Sequence, residues 1–238
     1  MEYSEFEKIF KEKENEINLN ILDKKIEKFY KYMKSLIEWN EKINLTAITD
    51  EKEIVEKHFI DSLTILKYIK DEYNVIDVGT GAGFPGLPVA ISSKANVTLL
   101  DSLNKRINFL NSVSDELRLE NINAIHGRAE EIAVKPEYRE KYDVAVSRAV
   151  APMNILVEYL LPFVKVGGMC ICMKGPKADE ELKNAENAIK ILGGEILKQE
   201  SFKLDNNTME RNIIIIKKVS TTPKKYPRKP GMPTKLPL

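Results

Sequence analysis

The stretch Asn74 to Asp101, NVIDVGTGAGFPGLPVAISSKANVTLLD, constrains this chain more than any other. Val75, Ile76 and Val78 form the β-branched run of a strand buried on both faces. Gly79, Gly81 and Gly83 then allow a sharp turn with no Cβ in the way of a ligand. Pro85 and Gly86 open a helix, since proline presets φ and forgoes only an N–H that is unpaired in the first turn. A second strand, Val97 to Leu100, brings Asp101 to the same carboxyl edge, where open α/β sheets bind ligands. The unit reads as a cradle for a nucleoside cofactor.

Two cofactor classes compete for it. Gly81 to Gly86 satisfies G-x-G-x-x-G, a weak dinucleotide signal when taken alone. Asp77 stands on the strand just before the glycines, and a carboxylate there repels a pyrophosphate. S-adenosylmethionine has no phosphate and brings an ammonium and a sulfonium, so Asp77 favours it and is expected near the methionine amine. Asp101 suits either class, because a carboxylate accepts from both ribose hydroxyls.

Around this unit the chain alternates strand and helix. Strands are predicted at Ile122–Ile125, Tyr142–Val146 and Met169–Met173, with helices at Lys105–Leu119, Met153–Val164 and Asp179–Leu192. Glu195–Leu204 and Arg211–Val219 read as a closing hairpin turned by Asp205, Asn206, Asn207 and Thr208. The fold class is therefore α/β: a Rossmann-like, mostly parallel sheet with an antiparallel edge hairpin. Three segments are expected, a helical cap over residues 1–70, the sheet domain over 71–220, and a basic, proline-rich tail over 221–238.

In the cap, Leu22, Ile26, Phe29, Tyr30, Met33 and Ile37 form one face of an amphipathic helix, expected to pack on the sheet domain. A further helix opens at Asp50, with Glu53 at capping-box spacing, and runs through Leu66 carrying His58 and Asp61.

Charge is uneven. From Lys217 onward seven basic residues stand with no acid, so that end carries +7 and the remainder −6 against a total of +1. A polyanion would be met there, at Lys224, Lys225, Arg228, Lys229 and Lys235. The tail is too rich in proline and lysine to pack as an element of its own, and is expected to lie along a partner. Cutting it after Ser220 is expected to leave cofactor affinity nearly intact. Cys170 and Cys172, two apart on a strand, have the wrong spacing for a metal or redox site, and no metal is expected. No apolar run approaches a membrane span and the start lacks a signal-peptide core, so a cytoplasmic protein with no membrane partner is expected.

An ordered set of motifs resembles the RsmG (GidB) family of ribosomal RNA methyltransferases, over nearly the whole length. It comprises Trp39-Asn40 with Asn44-Leu45-Thr46, His58 to Leu63, Asp77 to Gly86, Arg128-Ala129-Glu130, Ser147-Arg148-Ala149, and Tyr226 to Pro233 with Lys235. Pro230 is a departure from the pattern. The resemblance implies a class I S-adenosylmethionine-dependent fold that methylates N7 of a guanine in small-subunit rRNA. It also implies cofactor contacts at Gly79, Phe84, Ala129, Glu130 and Arg148, with Glu130 near the adenine. His58 and Lys174 approach the target base on the strength of the resemblance and of their places at element ends. Arg148 is expected to orient cofactor or target through its planar fork.

The chemistry agrees. Guanine N7 has an in-plane lone pair and no proton, so attack on a sulfonium methyl needs alignment more than a base. Ser147-Arg148-Ala149-Val150 is not the Asn/Asp-Pro-Pro-aromatic motif of adenine-amine methylation, and both cysteines lie inside a strand, away from its ligand end. The expected partner is small-subunit rRNA, with no DNA, and the expected state is a monomer. A nicotinamide oxidoreductase and a non-catalytic RNA-binding module remain open on sequence alone.

Overall fold

The structure is a computed structural model that describes residues 1–204 and 208–238. Asp205, Asn206 and Asn207 of the expected hairpin turn lie outside the described residues.

The cap begins with α1 (Tyr3–Glu16) and α2 (Asp23–Ile43). The buried face of α2 is Ile26, Phe29, Tyr32, Met33 and Leu36. This stripe is rotated slightly from the expected one, and Leu22 precedes the helix and is 58% exposed. Asn44 ends α2 in the left-handed conformation that asparagine tolerates. Asp50 caps α3 (Glu51–Ile54), accepting from the backbone N–H groups of Lys52 and Glu53. The single helix expected beyond it is instead a π-helical turn over Val55–Ile60, then α4 (Asp61–Leu63) and a 3₁₀ turn over Leu66–Tyr68.

Among the described residues seven strands follow: β1 (Asn74–Val78), β2 (Asn96–Asp101), β3 (Ile122–His126), β4 (Tyr142–Arg148), β5 (Val164–Lys174), β6 (Gly194–Leu204) and β7 (Met209–Lys218). They form one sheet in the order β3-β2-β1-β4-β5-β7-β6. The first five are parallel, while β7 runs antiparallel to both β5 and β6. Strand order reverses beside β1, which opens a crevice at the carboxyl edge. The crossovers are α5 (Gly86–Ser92), α6 (Asn104–Glu116), α7 (Ala129–Ile132), α8 (Met153–Leu160) and α9 (Ala178–Ile191).

Each sheet face carries its own core. On one face the cap residues Phe6, Phe10, Phe29, Tyr32 and Phe59 join Leu87, Phe109, Val144 and Ile171 in one continuous cluster. The cap thus shares the sheet's core, and Trp39 meets Phe109 edge to face at 5.7 Å. The other face is covered by Met153, Leu156, Ala185, Ile189 and Tyr226, from α8, α9 and the tail. Cys170 and Cys172 are buried in this second core as free thiols.

The expectation that residues 221–238 pack poorly is corrected. Thr222, Tyr226 and Pro233 are buried, and a short helix, α10 (Met232–Lys235), closes the segment. Backbone carbonyls that proline-rich chain leaves unpaired are taken by side chains. Arg139 donates to Thr222 O at 2.8 Å and to Tyr226 O at 2.9 Å. Lys218, fully buried, donates to Thr222 Oγ1 in the tail as well as to Leu161 O at 2.7 Å, and pairs with Glu140 at 3.2 Å. Among the described residues, no helix is long and apolar enough to cross a membrane.

Candidate active site

The glycine loop is held from below by the cap. Tyr32, at 0% exposure, donates its hydroxyl hydrogen bond to Ala82 O and stacks on Phe84 with ring centroids 5.5 Å apart. Gly83 has φ +103°, and a Cβ there would sit 2.4 Å from Leu87, so the turn requires glycine. Of the three glycines, Gly79 lines a cavity of 340 Å³ at the carboxyl ends of β1 and β2. Gly81 contributes its N–H to Asp101 Oδ2 at 3.0 Å instead.

That cavity is bounded by Gly79, Asp101, Ser102, Arg106, Arg128, Ala129, Glu130 and Tyr159, with Ala149 and Val150 on one wall. Asp101 is 3% exposed, and both oxygens are engaged: Oδ1 by Leu103 N, Oδ2 by Gly81 N, and both by Arg106 Nη1, nearest at 3.1 Å. A ligand hydroxyl must therefore compete with Arg106 for Asp101. Glu130 is nearly buried and accepts from Gly231 N at 3.1 Å, which places the tail against the cavity.

Asp77 is not in this cavity, contrary to the expectation that it faces a ligand amine. It is fully buried, and its Oδ2 accepts from Thr80 Oγ1 at 2.7 Å and from Gly86 N at 2.8 Å. Strand alternation turns its side chain inward, where it caps the N-terminus of α5 across the glycine loop. Among the described residues Oδ1 takes no hydrogen bond, and burial pushes the carboxyl up to about 7. Buried and outside the lining of this cavity, its carboxyl does not meet a pyrophosphate there, contrary to the expected repulsion. Phe84 is also buried, its ring stacked on Tyr32 and on His58, and it is not among the residues that line this cavity.

A second cavity, of 580 Å³, opens beside the first and shares Ala149 and Val150 with it. It is lined by His58, Asp61, Arg148, Lys174, Glu181 and Arg211 among others. Arg148, at the end of β4, donates to Asp61 Oδ2 at 2.8 Å, to Lys57 O at 3.0 Å and to His58 Nδ1 at 3.1 Å, and lies over the Phe84 ring at 5.0 Å. The π-helical turn over Val55–Ile60 places Lys57 O, His58 and then Asp61 around one guanidinium.

Because a guanidinium only donates, His58 Nδ1 is an acceptor and the proton sits on Nε2, donated to Thr46 Oγ1 at 2.8 Å. Burial, and next the charge of Arg148, hold the ring down at about 3, so it is neutral. His58 also stacks on Phe84 at 4.4 Å. Both ring nitrogens are thus engaged, Nδ1 with Arg148 and Nε2 with Thr46. Lys174 is similarly engaged, donating to Ala151 O at 2.5 Å and to Glu181 Oε2 at 2.7 Å.

Arg228 is corrected as well. Its guanidinium grips Glu158, with Nε to Oε1 at 3.0 Å and Nη2 to Oε2 at 2.6 Å, while Nη1 donates to Leu236 O at 2.7 Å. Glu158 is fully buried, so the fork that a phosphate would need is occupied by a carboxylate inside the protein. Lys224, Lys225, Lys229 and Lys235 are exposed around this anchor.

Sequence reasoning missed Arg211, Glu158 and Glu181. A lone acid in the apolar helix MNILVEYL signals a buried cationic partner. Arg211 stands at the start of a strand, but because β7 runs antiparallel, that start lies beside the end of β5 and hence at the ligand edge. There its Nε donates to Asp61 Oδ1 at 2.9 Å.

Known proteins are similar to this chain in fold and in sequence. A solved structure of M. jannaschii TYW2 in complex with AdoMet shares the sheet fold, with a TM-score of 0.53 and 15% identity over 67% of this chain and 75% of that one. The "Ribosomal RNA small subunit methyltransferase G" of Alkaliphilus metalliredigens is 51% identical over 233 residues, covering 97% of this chain and 98% of its own. The protein of the same description from Acetivibrio thermocellus is 54% identical over 222 residues, covering 92% and 91%. The family model described as GidB, rRNA small subunit methyltransferase G, matches residues 25–214. With most of the chain matched by that model and near-full-length relatives at this identity, the chain belongs to the GidB family of small-subunit rRNA methyltransferases.

Proposed function

We propose that the chain transfers the methyl group of S-adenosylmethionine to N7 of one guanine in small-subunit rRNA. The observation that carries this is the pair of cavities meeting at Ala149 and Val150, one with the acids an adenosyl group needs and one ringed by cations. The first fits the cofactor: Asp101 faces it with accepting oxygens, Glu130 closes the far end, and Gly79, whose Cβ would lie 2.5 Å from Val150, leaves room only for backbone. When bound there, the cofactor supplies an electrophilic methyl on sulfur.

The chain's own residues position the base. No side chain lining the second cavity need act as a base, because guanine N7 carries no proton, and His58 is tied up as an acceptor for Arg148. Arg148 and Arg211, held by Asp61, keep a positive edge on the cavity toward the RNA backbone. Lys224, Lys225, Lys229 and Lys235 extend that charge to rRNA phosphates, with Arg228 anchoring them. The cap, the sheet and the tail work as one unit in this reading, as a cytoplasmic monomer with no DNA or membrane partner. The nicotinamide alternative has no observation in its favour, and cavities built around a transferable group leave a purely RNA-binding role without use for them.

Mass mapping of small-subunit rRNA from cells with and without the gene tests this. The expected result is one guanine whose methyl disappears with the gene and whose strand is cut by borohydride reduction and aniline, the signature of N7 substitution. A methyl that resists that cleavage, or no change in any rRNA, overturns the proposal. Incubating purified protein with naked rRNA and with assembling subunits then identifies the form it acts on, and sedimentation checks the monomer.

A further inference from the structure

The second cavity contains two carboxylates, and they are not equivalent. Asp61 is 1% exposed and each of its oxygens is held by a different guanidinium, Oδ2 by Arg148 and Oδ1 by Arg211. Glu181, on the first turn of α9, is held by one oxygen alone. Its Oε2 accepts from Lys174 Nζ at 2.7 Å and from Met153 N at 3.0 Å, while Oε1 takes no hydrogen bond from the described residues. Its side chain is 28% exposed and lines the cavity. The result is an anion of fixed orientation with a free acceptor, in a cavity whose remaining charges are otherwise cationic or already neutralised.

We propose that Glu181 is the residue that selects guanine, its Oε1 accepting from the N1–H and N2–H groups of the target base. The proposal rests on the guanine-N7 reading above. A guanine that turns N7 toward the methyl donor carries its two N–H donors on the opposite, pyrimidine edge. Adenine has a lone pair at N1 in the same place, which a carboxylate repels, and no amine at C2. A site built around one oriented acceptor therefore rejects it strongly. The same anion assists the reaction. The N7 lone pair forms the new N–C bond as the C–S bond breaks toward sulfur, so one positive charge moves from sulfur to the purine and no proton is transferred. Glu181 accepts from a base that is becoming cationic, an interaction stronger in the transition state than in the ground state.

A merely structural Glu181, serving Lys174 and the N-terminus of α8, is separated from this one by the substrate. Small subunits reconstituted with guanine or with inosine, which lacks the C2 amine, at the mapped position are methylated by wild-type protein and by Glu181→Gln. Glutamine retains an oxygen for Lys174 and Met153. Wild type is expected to prefer guanine over inosine by about tenfold or more in kcat/KM, the scale of a hydrogen bond to a charged group. In Glu181→Gln the guanine rate falls by a similar factor and the inosine rate falls less, so the preference shrinks toward one while S-adenosylmethionine affinity is unchanged. Equal losses on both substrates, leaving the preference intact, overturn the proposal. So does a wild-type preference near one, which decides the matter even where Glu181→Gln fails to fold. Glu181→Asp, which keeps the charge, is expected to retain more of the preference than Glu181→Gln. Wild-type protein that methylates neither kind of subunit overturns the guanine-N7 reading itself and the proposal with it.

Discussion

Asp61 Oδ2 accepts a 2.8 Å hydrogen bond from Arg148 Nη1 across 87 residues of sequence, and this ion pair joins the cap to the end of β4. With Arg211 on its other oxygen, Asp61 at 1% exposure is the one anion shared by two guanidinium groups that are themselves mostly buried. Asp61→Asn keeps the shape and removes the charge, leaving both cations without an anion. Breaking such a buried pair costs about 3–5 kcal/mol. Urea unfolding should report a loss of that size together with loss of methylation. A loss below about 1 kcal/mol would show that solvent already screens the cluster.

The pH dependence of stability should expose Asp77 and His58 as opposing groups. Burial pushes Asp77 up to about 7 from an ordinary 3.8, so the folded protein keeps a proton that the unfolded chain loses. Its contribution is complete below about pH 4 and is lost as pH rises to about 7. Burial and Arg148 hold His58 down at about 3 from 6.5, so the folded protein refuses a proton that the unfolded chain takes. That contribution is complete above about pH 6.5 and is lost as pH falls toward 3. Between these limits the two cancel. Asp77→Asn removes the first alone, so its stability should drop more steeply than wild type's between pH 6.5 and 4.5, by about one proton in the slope. Parallel curves would mean that Asp77 is ionised throughout. The single-turnover rate, by contrast, should stay flat between about pH 6.5 and 9, since no residue need remove a proton.

Asp101 and Arg106 make a paired test of cofactor binding. Asp101→Ala should weaken S-adenosylmethionine binding by about ten- to a hundredfold, the scale of hydrogen bonds to a charged group. Arg106 competes for the same oxygens at 3.1 Å, so Arg106→Ala should leave affinity unchanged or tighten it. Calorimetry on both variants decides. Weakening of equal size in both would assign Arg106 to the cofactor rather than to Asp101.

The tail separates into anchor and charge. Removing residues 221–238 strips Tyr226 from the core and leaves buried Glu158 and Lys218 without their tail partners. The thermal midpoint should fall by about 10 °C, as a buried unpaired charge in a chain of this size implies. Cofactor affinity should fall too, since Glu130 loses Gly231, which reverses the expectation drawn from sequence. Replacing Lys224, Lys225, Lys229 and Lys235 with alanine should leave midpoint and cofactor affinity alone. It should flatten the salt dependence of rRNA binding by about 0.7–0.9 log units for each phosphate that no longer meets a lysine. If the lysine variant binds rRNA with an unchanged slope, the RNA is held by the cavity cations.

The sheet is legible in the chain because β-branched runs and glycine turns are local signals, and the end of β2 leads to Asp101, whereas Glu130 and Arg148 follow from the family resemblance and Lys174 from the resemblance together with its place at a strand end. The partners of those residues are not legible, because partnership is set by tertiary packing. Nothing near Arg228 indicates that it will meet Glu158, 70 residues earlier. Proline and lysine counts describe how a tail behaves alone, whereas Arg139, through the Tyr226 carbonyl, and Lys218, through the Thr222 hydroxyl, supply from elsewhere the donors that let it pack. Asp77 departs from its expected place for a local reason. Its place before the glycines is right for a ligand, but its side chain turns inward to serve Thr80 and Gly86.

Gly231 touches Glu130 across 101 residues, and that distance has a meaning during synthesis. At about 5–20 residues per second, some 5–20 s separate the emergence of these two residues from the ribosome. Within that interval, once Arg148 has emerged and before Met209 does, the nascent chain has its glycine loop yet lacks β7, the strand between β5 and β6. It also lacks Arg211, the second cation on Asp61. A chain halted there is an unfinished sheet with an exposed strand edge, prone to association, and not a slower enzyme. Activity should therefore arrive late and all at once in a translating chain, after the segment that holds Glu130 has docked.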